Sequence, residues 1–366
     1  MPGSHHRQPS ALLRADFEYA DLKRFDAVID VRSPAEYAED HIPGAINCPV
    51  LDDAERAQVG IVYKQQSAFD AKKLGAAIVA RNIAAHLDNN FRCNAKGWKP
   101  LIYCWRGGSR SGAMTHILRS VGWHALQLEG GYKSFRARVI RDLETLPARF
   151  TYRVICGRTG SGKSRLLEAL AVAGAQVLDL EQLAAHRGSV LGDLPGAPQP
   201  TQKAFESLIW EQLHRSDPAR PLFVEAESKK VGMLRVPQSL IERMWEGQCL
   251  QLDVPEAARV ALLRDEYAHL MRDTTLLYAK LDCLNSLHSR ERIDTWKSLA
   301  RAGRWDEFVA DMLKNHYDPA YGKSMFRNYR HAELAQHLEV RDISPGGFAR
   351  LAERLVKPVA TTDEHG

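Results

Sequence analysis

One segment limits the possible folds of this chain more than any other: residues 157–164, which read Gly-Arg-Thr-Gly-Ser-Gly-Lys-Ser. The segment matches the pattern GxxxxGK[ST], which is meaningful only between a buried strand and a helix. The chain supplies both, with Tyr-Arg-Val-Ile-Cys at 152–156 and a leucine-rich stretch at 166–170. A strand, a glycine loop and a helix in this order predict an α/β domain built on a parallel sheet.

The chemistry of this loop is phosphate binding. Glycines allow the backbone to wrap an anion, and the N–H groups of the following helix N-terminus supply positive potential. Lys163 can reach an outer phosphate. The motif indicates a diphosphate or a triphosphate and does not specify ATP. The predicted phosphate-binding residues are Gly157, Arg158, Thr159, Gly160, Ser161, Gly162, Lys163 and Ser164.

A Mg²⁺ ion is the expected companion of the phosphate, because the Ser164 hydroxyl is a suitable ligand. Asp179 lies at the end of a predicted strand at 177–180, and Glu225 or Glu227 follows another at 222–224. An acidic residue at a strand end is also a common helix N-cap, so the sequence does not choose between these carboxylates. We take Ser164, Asp179 and Glu225 as the predicted metal site.

The chain before residue 147 alternates short apolar strands with amphipathic helices. The predicted strands are 27–31, 101–103 and 125–128, and the predicted helices are 71–88 and about 110–121. Strand–helix alternation again favours a parallel sheet, here in a separate N-terminal domain.

Leu146-Pro147-Ala148-Arg149 is the expected hinge, which gives predicted domains at 1–146 and 147–366. The stretch from Gly192 to Pro200 is rich in Pro and Gly and is predicted to be a loop. Beyond about residue 255 the chain is expected to be mostly helical and basic, with a frayed tail after Lys357.

A second reactive constellation lies between strand 101–103 and the helix after it: Cys104-Trp-Arg-Gly-Gly-Ser-Arg110. A thiol in this position faces backbone N–H groups and the positive end of a helix dipole, which both favour the nucleophilic thiolate. Arg106 and Arg110 add positive charge. The chain has six cysteines without metal-ligand spacing, and we expect the other five to be unreactive packing residues.

The N-terminal domain resembles the rhodanese domains. The resemblance is carried by residues 30–37 (DVRSPAEY), by residues 41–47 (HIPGAIN) and by Gly130-Gly131-Tyr132. In that family the loop cysteine carries a persulfide, which would make Cys104 the carrier here. We expect Asp30 and Arg32 to tie the strand to the loop rather than to contact substrate.

The order of the two domains resembles the bacterial tRNA 2-selenouridine synthases, from about residue 16 to 330. Cys104-Trp-Arg-Gly-Gly is the most specific motif. Further similar stretches are 52–60 with 63–65, 179–181 with 186–189, 224–228 and 317–321. Residues from about 270 to 310 resemble the family less.

The resemblance implies a two-step replacement on a wobble 2-thiouridine of tRNA. Geranyl diphosphate alkylates the sulfur, and selenium from selenophosphate then displaces the S-geranyl group. The implied catalytic residues are Cys104, Arg106, Arg110 and Lys163, without a bound redox cofactor. The diphosphate leaving group needs the charge stabilisation that Lys163 and Mg²⁺ can supply.

A net charge of +5 permits an anionic partner such as RNA without proving one. Arg187, Lys229 and Lys230 are the predicted tRNA contacts, with His186, Arg327, Arg330 and His331 as further candidates. The chain shows neither a secretory signal nor a long apolar segment, so we expect a cytoplasmic protein that does not enter a membrane. A monomer is expected, and a separate source must supply selenophosphate.

Two alternatives stay open. The chain could be an ATP-dependent sulfurtransferase or kinase acting on RNA, or a nucleotide-switched regulator whose rhodanese-like domain is inert. The intact Cys104 loop argues against the regulator, because regulatory domains of this kind often lose the cysteine. An ATPase assay separates the first alternative from the transferase.

Overall fold

The structure, a computed structural model, describes residues 11–357 except for the side chains of residues 323–327. The expected tail after Lys357 and the side chain of Arg327 therefore lie outside the described part. Two compact units make up the chain. The first runs to Asp142 and includes Glu206–His214, and the second contains Leu143–Phe205 and the chain from Arg215 onward.

The first unit is built on a five-stranded sheet. Its strands are β1 (Leu12–Leu13), β2 (Ala27–Asp30), β3 (Ile46–Asn47), β4 (Pro100–Tyr103) and β5 (Leu126–Leu128). Every pair is parallel, in the order β1-β5-β4-β2-β3. β4 lies in the centre and all four of its residues are buried, as a strand covered on both faces requires. The Cys104 loop therefore starts at the middle of the sheet.

Within the described residues, six α-helices accompany this sheet. They are α1 (Tyr19–Leu22), α2 (Pro34–Glu39), α3 (Asp53–Gln65), α4 (Ala68–His86), α5 (Ser109–Val121) and α6 (Gly131–Thr145). α4 begins earlier than the predicted residue 71 because the Ser67 side chain caps it, accepting from the Asp70 N–H. α5 starts directly after the Cys104 loop and ends at Gly122, whose φ of 107° suits glycine.

The second unit has its own parallel sheet. The strands of this unit are β6 (Tyr152–Cys156), β7 (Gln176–Leu178), β8 (Leu222–Glu225), β9 (Lys230–Val231), β10 (Leu234–Arg235), β11 (Gln248–Asp253) and β12 (Gln336–Glu339). The main order is β12-β11-β6-β8-β7, and β9 with β10 forms an antiparallel hairpin. With β6 central and β8 beside it, the glycine loop and Glu225 emerge at the same sheet edge.

Helices complete the second unit. They are α7 (Lys163–Val172), α8 (Leu180–Leu183), α9 (Gln202–Arg215), α10 (Gln238–Trp245), α11 (Glu256–Glu266), α12 (Ala268–Arg272), α13 (Thr274–Asp282), α14 (Arg290–Arg301), α15 (Trp305–Met312), α16 (Asp318–Asn328) and α17 (Pro345–Val356). The expected α/β class with a helical C-terminal part is confirmed. Within residues 11–357, none of the helices combines the length and apolarity that crossing a bilayer would require.

A buried ion pair stabilises the first unit. The Arg32 guanidinium donates to Asp30 Oδ2 at 2.6 Å and to the Asp40 carbonyl at 2.6 Å, and neither charged side chain is more than 1% exposed. The guanidinium also lies 4.1 Å from the centre of the Tyr132 ring. These contacts give Asp30 and Arg32 the structural role expected from the sequence.

Asp30→Ala should therefore destabilise the protein strongly, because it leaves the Arg32 charge buried and unpaired. We expect a loss of about 3–5 kcal/mol in the free energy of unfolding, measured by urea denaturation. The matched control is Asp16→Ala, which removes an exposed partner of Arg14 and should cost less than about 1 kcal/mol. Equal losses in the two variants would contradict a structural role for the buried pair.

Candidate functional site

The Cys104 loop depends on glycine at two close approaches. A side chain at Gly107, which has φ of 62°, would place its Cβ 2.6 Å from the Leu128 carbonyl oxygen. A side chain at Gly131, with φ of 58°, would overlap the Cys104 carbonyl. The Tyr132 N–H donates to that same carbonyl at 2.8 Å. The loop is thus folded tightly over the start of α6, which fixes the position of the sulfur.

The Cys104 sulfur receives two hydrogen bonds. Its Sγ accepts from the Gly108 N–H at 3.3 Å and from the Ser111 hydroxyl at 3.1 Å, both at the N-terminus of α5. Ser111 in turn accepts from the Gln127 amide at 2.9 Å. Donors and a helix N-terminus aimed at sulfur stabilise negative charge there. Cys104 is 3% exposed, so the sulfur is almost completely covered by the surrounding residues.

The two arginines of the loop differ in their surroundings. Arg110 donates to Glu36 at 2.9 Å, and Arg56 pairs with the same carboxylate. Its charge is therefore largely compensated. Arg106 is exposed, which leaves it the more available cation beside the loop. Trp105 packs on Tyr132 with ring centres 5.2 Å apart, so it contributes to the loop's packing.

The phosphate loop of the second unit has the conformation that its glycines allow. Gly160 and Gly162 have φ of 79° and 77°. A Cβ at Gly160 would lie 2.8 Å from Leu263, and one at Gly162 would overlap Phe348 of α17. Lys163 opens α7, and its ammonium donates to the Gly157 carbonyl at 3.1 Å. The lysine therefore lies across the cradle, where an outer phosphate would replace that carbonyl contact.

Residues far away in sequence hold this loop in place. The buried Arg259 donates to the Thr159 carbonyl at 2.9 Å and to both oxygens of Asp318, at 3.0 and 2.5 Å. The Tyr321 hydroxyl accepts the Gly157 N–H at 2.7 Å. Sequence reasoning missed these positioning roles. Residues 317–321 are part of the family resemblance, but nothing in the local sequence links them to the phosphate loop.

Three carboxylates converge beside Ser164. One oxygen each of Glu181, Glu225 and Glu227 lies within 4.8 Å of the others. The Ser164 Oγ is 3.2 Å from Glu181 and 3.3 Å from Glu225, and its single proton can go to only one of them at a time. Gly188 is needed at this point, since a Cβ there would lie 2.6 Å from Glu181. This donor set of oxygen atoms fits Mg²⁺.

Burial and the repulsion between neighbouring carboxylates favour the protonated forms of these glutamates. Desolvation, followed by the charges of Glu181 and Glu227, raises the pKa of Glu225 well above its usual range. Desolvation likewise raises the pKa of Glu181 to about 7, against the lowering influence of Lys163. Glu225 is fully buried, and its Oε1 has no hydrogen-bond partner among the described residues. A buried acceptor without a donor favours a cation as the missing partner.

Asp179 occupies the helix N-cap position that the sequence left open as the alternative to a metal ligand. Its carboxylate caps α8, accepting the Gln182 N–H at 2.8 Å, and it is not one of the three carboxylates that lie within 4.8 Å of one another. The geometry brings Glu225 together with Glu227, which the sequence offered as its alternative, and with Glu181, which the sequence did not propose. Asp179 as a metal ligand stays a prediction, with Glu181 and Glu227 as stronger candidates by position. Nothing in the sequence indicated that Glu181 could be a ligand, because it lies in the first turn of a short helix.

Each of the two units matches a known protein family. Residues 15–138 match the family described as rhodanese-like domain, and residues 150–290 match the tRNA 2-selenouridine synthase AAA domain. Proteins named tRNA 2-selenouridine synthase in Hydrogenovibrio crunogenus and Alcanivorax borkumensis are 37% and 30% identical to this chain. These alignments cover 69% and 82% of this chain and 70% and 90% of those proteins. The chain belongs to the tRNA 2-selenouridine synthase family.

The resemblance stated from sequence motifs is thus confirmed. A further protein of the tRNA 2-selenouridine synthase family, from Nitrosomonas europaea, is 35% identical over 66% of this chain, and the alignment spans 63% of that protein's length. The rhodanese-like match contains the whole Cys104 loop. The match specific to the tRNA 2-selenouridine synthases contains the phosphate loop and all three clustered glutamates.

The three basic residues predicted to contact tRNA differ in their surroundings. Arg187 lines the pocket beside the phosphate loop that Lys163 and the three clustered glutamates also line, which we call the phosphate basin. It donates to the Glu266 carbonyl and lies 5.2 Å from the Tyr267 ring. Lys229 lies 5.4 Å over the Trp245 ring, and Lys230 is exposed on β9. Their role in tRNA binding stays a prediction.

The further basic candidates differ in how accessible they are. His186 is buried, with Nε2 3.2 Å from Asp193 and Nδ1 accepting the Gly188 N–H, so its ring serves the local fold. Burial lowers the pKa of His186, which keeps the ring neutral. Arg330 is paired with Glu246 at 3.3 Å, whereas His331 is exposed.

Proposed function

We propose that this protein replaces the sulfur of a wobble 2-thiouridine in tRNA by selenium through an S-geranyl intermediate. The observation that carries the proposal is the combination, in one chain of this family, of a thiol held at a helix N-terminus and a phosphate cradle backed by three glutamates. The protein would be a transferase that needs a tRNA, a prenyl diphosphate and selenophosphate, together with Mg²⁺. ATP has no role in this scheme.

The first step transfers the geranyl group. A lone pair of the thiocarbonyl sulfur forms a bond to C1 of geranyl diphosphate, while the C1–O bond breaks and diphosphate leaves with its electron pair. The uridine then loses the N3 proton, which leaves a neutral S-geranyl nucleoside. Lys163 and the loop N–H groups stabilise the charge that develops on the leaving diphosphate. Mg²⁺ held by Ser164 and the glutamates would neutralise the remaining negative charge.

The second step exchanges sulfur for selenium. The Cys104 thiolate adds to C2 and expels geranyl thiolate, which takes a proton from water. Selenium of selenophosphate then displaces the cysteine at C2, and water cleaves the P–Se bond to release phosphate. Cys104 is suited to this role because a thiolate is both a good nucleophile and a good leaving group. Arg106 would balance the negative charge near the loop.

A direct assay separates this proposal from the ATP-dependent alternative. Purified protein with Mg²⁺, thiolated tRNA and geranyl diphosphate should release diphosphate, whereas the same protein with ATP and tRNA should release no phosphate above background. Phosphate release from ATP that depends on tRNA, without diphosphate release from the prenyl substrate, would overturn the proposal.

The raised pKa of Glu181 predicts a pH effect on stability. A folded-state pKa of about 7 means that the folded protein holds a proton that the unfolded chain loses near the ordinary glutamate pKa of 4.5. This contribution to stability is complete below that lower value and is lost as pH rises through about 7. In metal-free protein, the drop in Tm between pH 5 and 8 should therefore be smaller for Glu181→Gln than for wild type.

Added Mg²⁺ should raise the wild-type Tm more at pH 8 than at pH 5, because the metal binds only deprotonated carboxylates. The exposed Glu291 on α14 provides a control, and Glu291→Gln should keep the wild-type pH profile. If the rise in Tm on adding Mg²⁺ is the same at both pH values and in Glu181→Gln, then Glu181 is not a ligand of the metal.

A further inference from the structure

The helical hairpin of α3 and α4 ends in an exposed tip, residues 61–73, which we call the α3–α4 tip. α3 ends at Gln65 and α4 begins at Ala68, so a short turn joins the two helices. In this tip, Tyr63 is 62% exposed and Phe69 is 69% exposed. Among the side chains that the structure describes, these two are the only exposed ones of Phe, Tyr or Trp. Large aromatic side chains are mostly buried in soluble proteins, so the exposed pair points to a binding partner.

The charge of the tip is positive. Lys64, Lys72 and Lys73 are exposed, and Asp70 is the one acidic residue of the tip. Asp70 pairs with Lys73 at 2.7 Å, so the tip contains no carboxylate that compensates Lys64 and Lys72. The Lys73 ammonium also lies 5.0 Å from the centre of the Phe69 ring. Exposed aromatic rings and uncompensated lysines are thus combined at one end of the hairpin.

Two ion pairs connect α3 with the Cys104 loop. Arg56 of α3 pairs with Glu36 at 2.9 Å, and Glu36 also accepts from Arg110 at the start of α5. From Arg56 to Tyr63 the helix advances about 10 Å, at roughly 1.5 Å per residue. That distance corresponds to about three stacked nucleotides, at roughly 3.4 Å each. An RNA strand whose wobble base is held at the Cys104 loop can therefore reach the tip with its neighbouring nucleotides.

The composition of the tip fits single-stranded RNA better than other partners. Bases of a single strand stack on aromatic side chains, and lysines neutralise its phosphates. Duplex RNA is recognised by its shape, its 2′-hydroxyls and its phosphates, so it would leave the rings unused. A lipid surface requires a continuous apolar helix face, whereas the polar residues 65–67 separate Tyr63 from Phe69. The core of a protein interface is depleted in lysine, so single-stranded RNA is the partner that uses both features.

We propose that the α3–α4 tip binds single-stranded nucleotides of the tRNA beside the wobble position, with bases stacked on Tyr63 and Phe69 and phosphates at Lys64 and Lys72. The identity of the RNA rests on the proposed function. The unit that carries Cys104 thereby gains an RNA-binding surface of its own, whereas the basic residues predicted to contact tRNA all lie in the second unit. Stacking tolerates any base, so the tip holds the strand in place without selecting its sequence.

Fluorescence anisotropy of the full-length protein with a labelled anticodon stem-loop that contains 2-thiouridine tests this surface. Tyr63→Ala and Phe69→Ala should each weaken binding by about tenfold, because one stacked base contributes affinity of that order. Lys64→Ala and Lys72→Ala should each reduce the slope of log affinity against log salt by about 0.7. Val121 is an exposed apolar residue of the same unit, so the control Val121→Ala should bind like wild type.

Tyr63→Phe keeps the ring and should bind like wild type, and thermal unfolding reports whether each variant is folded. If an alanine variant of an aromatic residue does not fold, the salt slopes of the two lysine variants decide. Wild-type affinity in a folded Tyr63→Ala/Phe69→Ala double variant would overturn the proposal, as would an equal loss of affinity for a blunt RNA duplex. Unchanged RNA binding with weaker binding to phosphatidylserine vesicles would assign the tip to a lipid surface instead.

The same variants separate this surface from the proposed function. If the double variant binds the stem-loop weakly but the wild-type protein forms neither modified nucleoside, the proposed function fails and the RNA surface stands. If the double variant binds and modifies the tRNA like wild type, the surface fails and the proposed function stands.

Discussion

Cys104→Ser should abolish selenium incorporation into tRNA while the S-geranyl nucleoside accumulates. The hydroxyl of serine is a much weaker nucleophile at neutral pH than a thiolate, although it can occupy the same position beside Gly108 and Ser111. We expect the rate of 2-selenouridine formation to fall by roughly a thousandfold or more, as happens when an enzymatic nucleophile is removed. Mass spectrometry of digested tRNA measures both nucleosides in one sample.

Cys93 supplies the matched control. It is an exposed free thiol in the same unit, so Cys93→Ser should form 2-selenouridine at the wild-type rate. Equal selenation by Cys104→Ser and wild type would refute a catalytic cysteine. Loss of both nucleosides in a folded Cys104→Ser variant would also be informative, because it would assign Cys104 to the alkylation step.

Lys163→Ala should block the first step. The ammonium now contacts the Gly157 carbonyl across the cradle, and an alanine leaves the developing charge of the diphosphate without its closest cation. Loss of one such charge-stabilising group typically costs about 100-fold or more in kcat. Diphosphate release from geranyl diphosphate should fall by that factor, and neither S-geranyl nor seleno nucleoside should accumulate.

Lys314→Ala is a suitable control, since Lys314 is an exposed lysine of the same unit that does not border the phosphate basin. Its diphosphate release should match wild type. Unchanged diphosphate release in Lys163→Ala would count against the role of the phosphate loop in alkylation. The two variants together order the steps, because only Cys104→Ser should accumulate the S-geranyl nucleoside.

Local patterns predicted the elements that carry the two loops. The strand at 152–156 is present with those bounds, and α5 begins one residue before the predicted start. Such segments are predictable because the glycine pattern and the hydrophobic period both lie within a short stretch of chain. The predicted strand at 177–180 ends earlier, at Leu178, because Asp179 caps α8 and turns the chain into a helix.

Long-range features could not be predicted in this way. β12 lies in the part of the chain that was expected to be mostly helical, and its strand character comes from pairing with β11, more than 80 residues away. Glu206–His214 lies with the N-terminal unit although the chain around it belongs to the other unit. The link from Arg259 to Asp318 and the phosphate loop likewise appears only when the helices are packed.

The residues of the metal site were also only partly predictable from the sequence. Glu225 could be proposed because it ends a strand beside the phosphate loop. Glu227 could be offered as an alternative on the same ground, whereas Glu181 needed the folded position of α8.

The central claim is that an activated sulfur and an anion cradle of one protein act in turn on the same nucleotide. The most direct test is mass spectrometry of the wobble nucleoside after incubating purified protein with thiolated tRNA, Mg²⁺, geranyl diphosphate and selenophosphate. The S-geranyl nucleoside should appear with geranyl diphosphate alone and should be converted to 2-selenouridine when selenophosphate is added. Formation of 2-selenouridine without geranyl diphosphate, or persistence of 2-thiouridine with both reagents present, would contradict the claim.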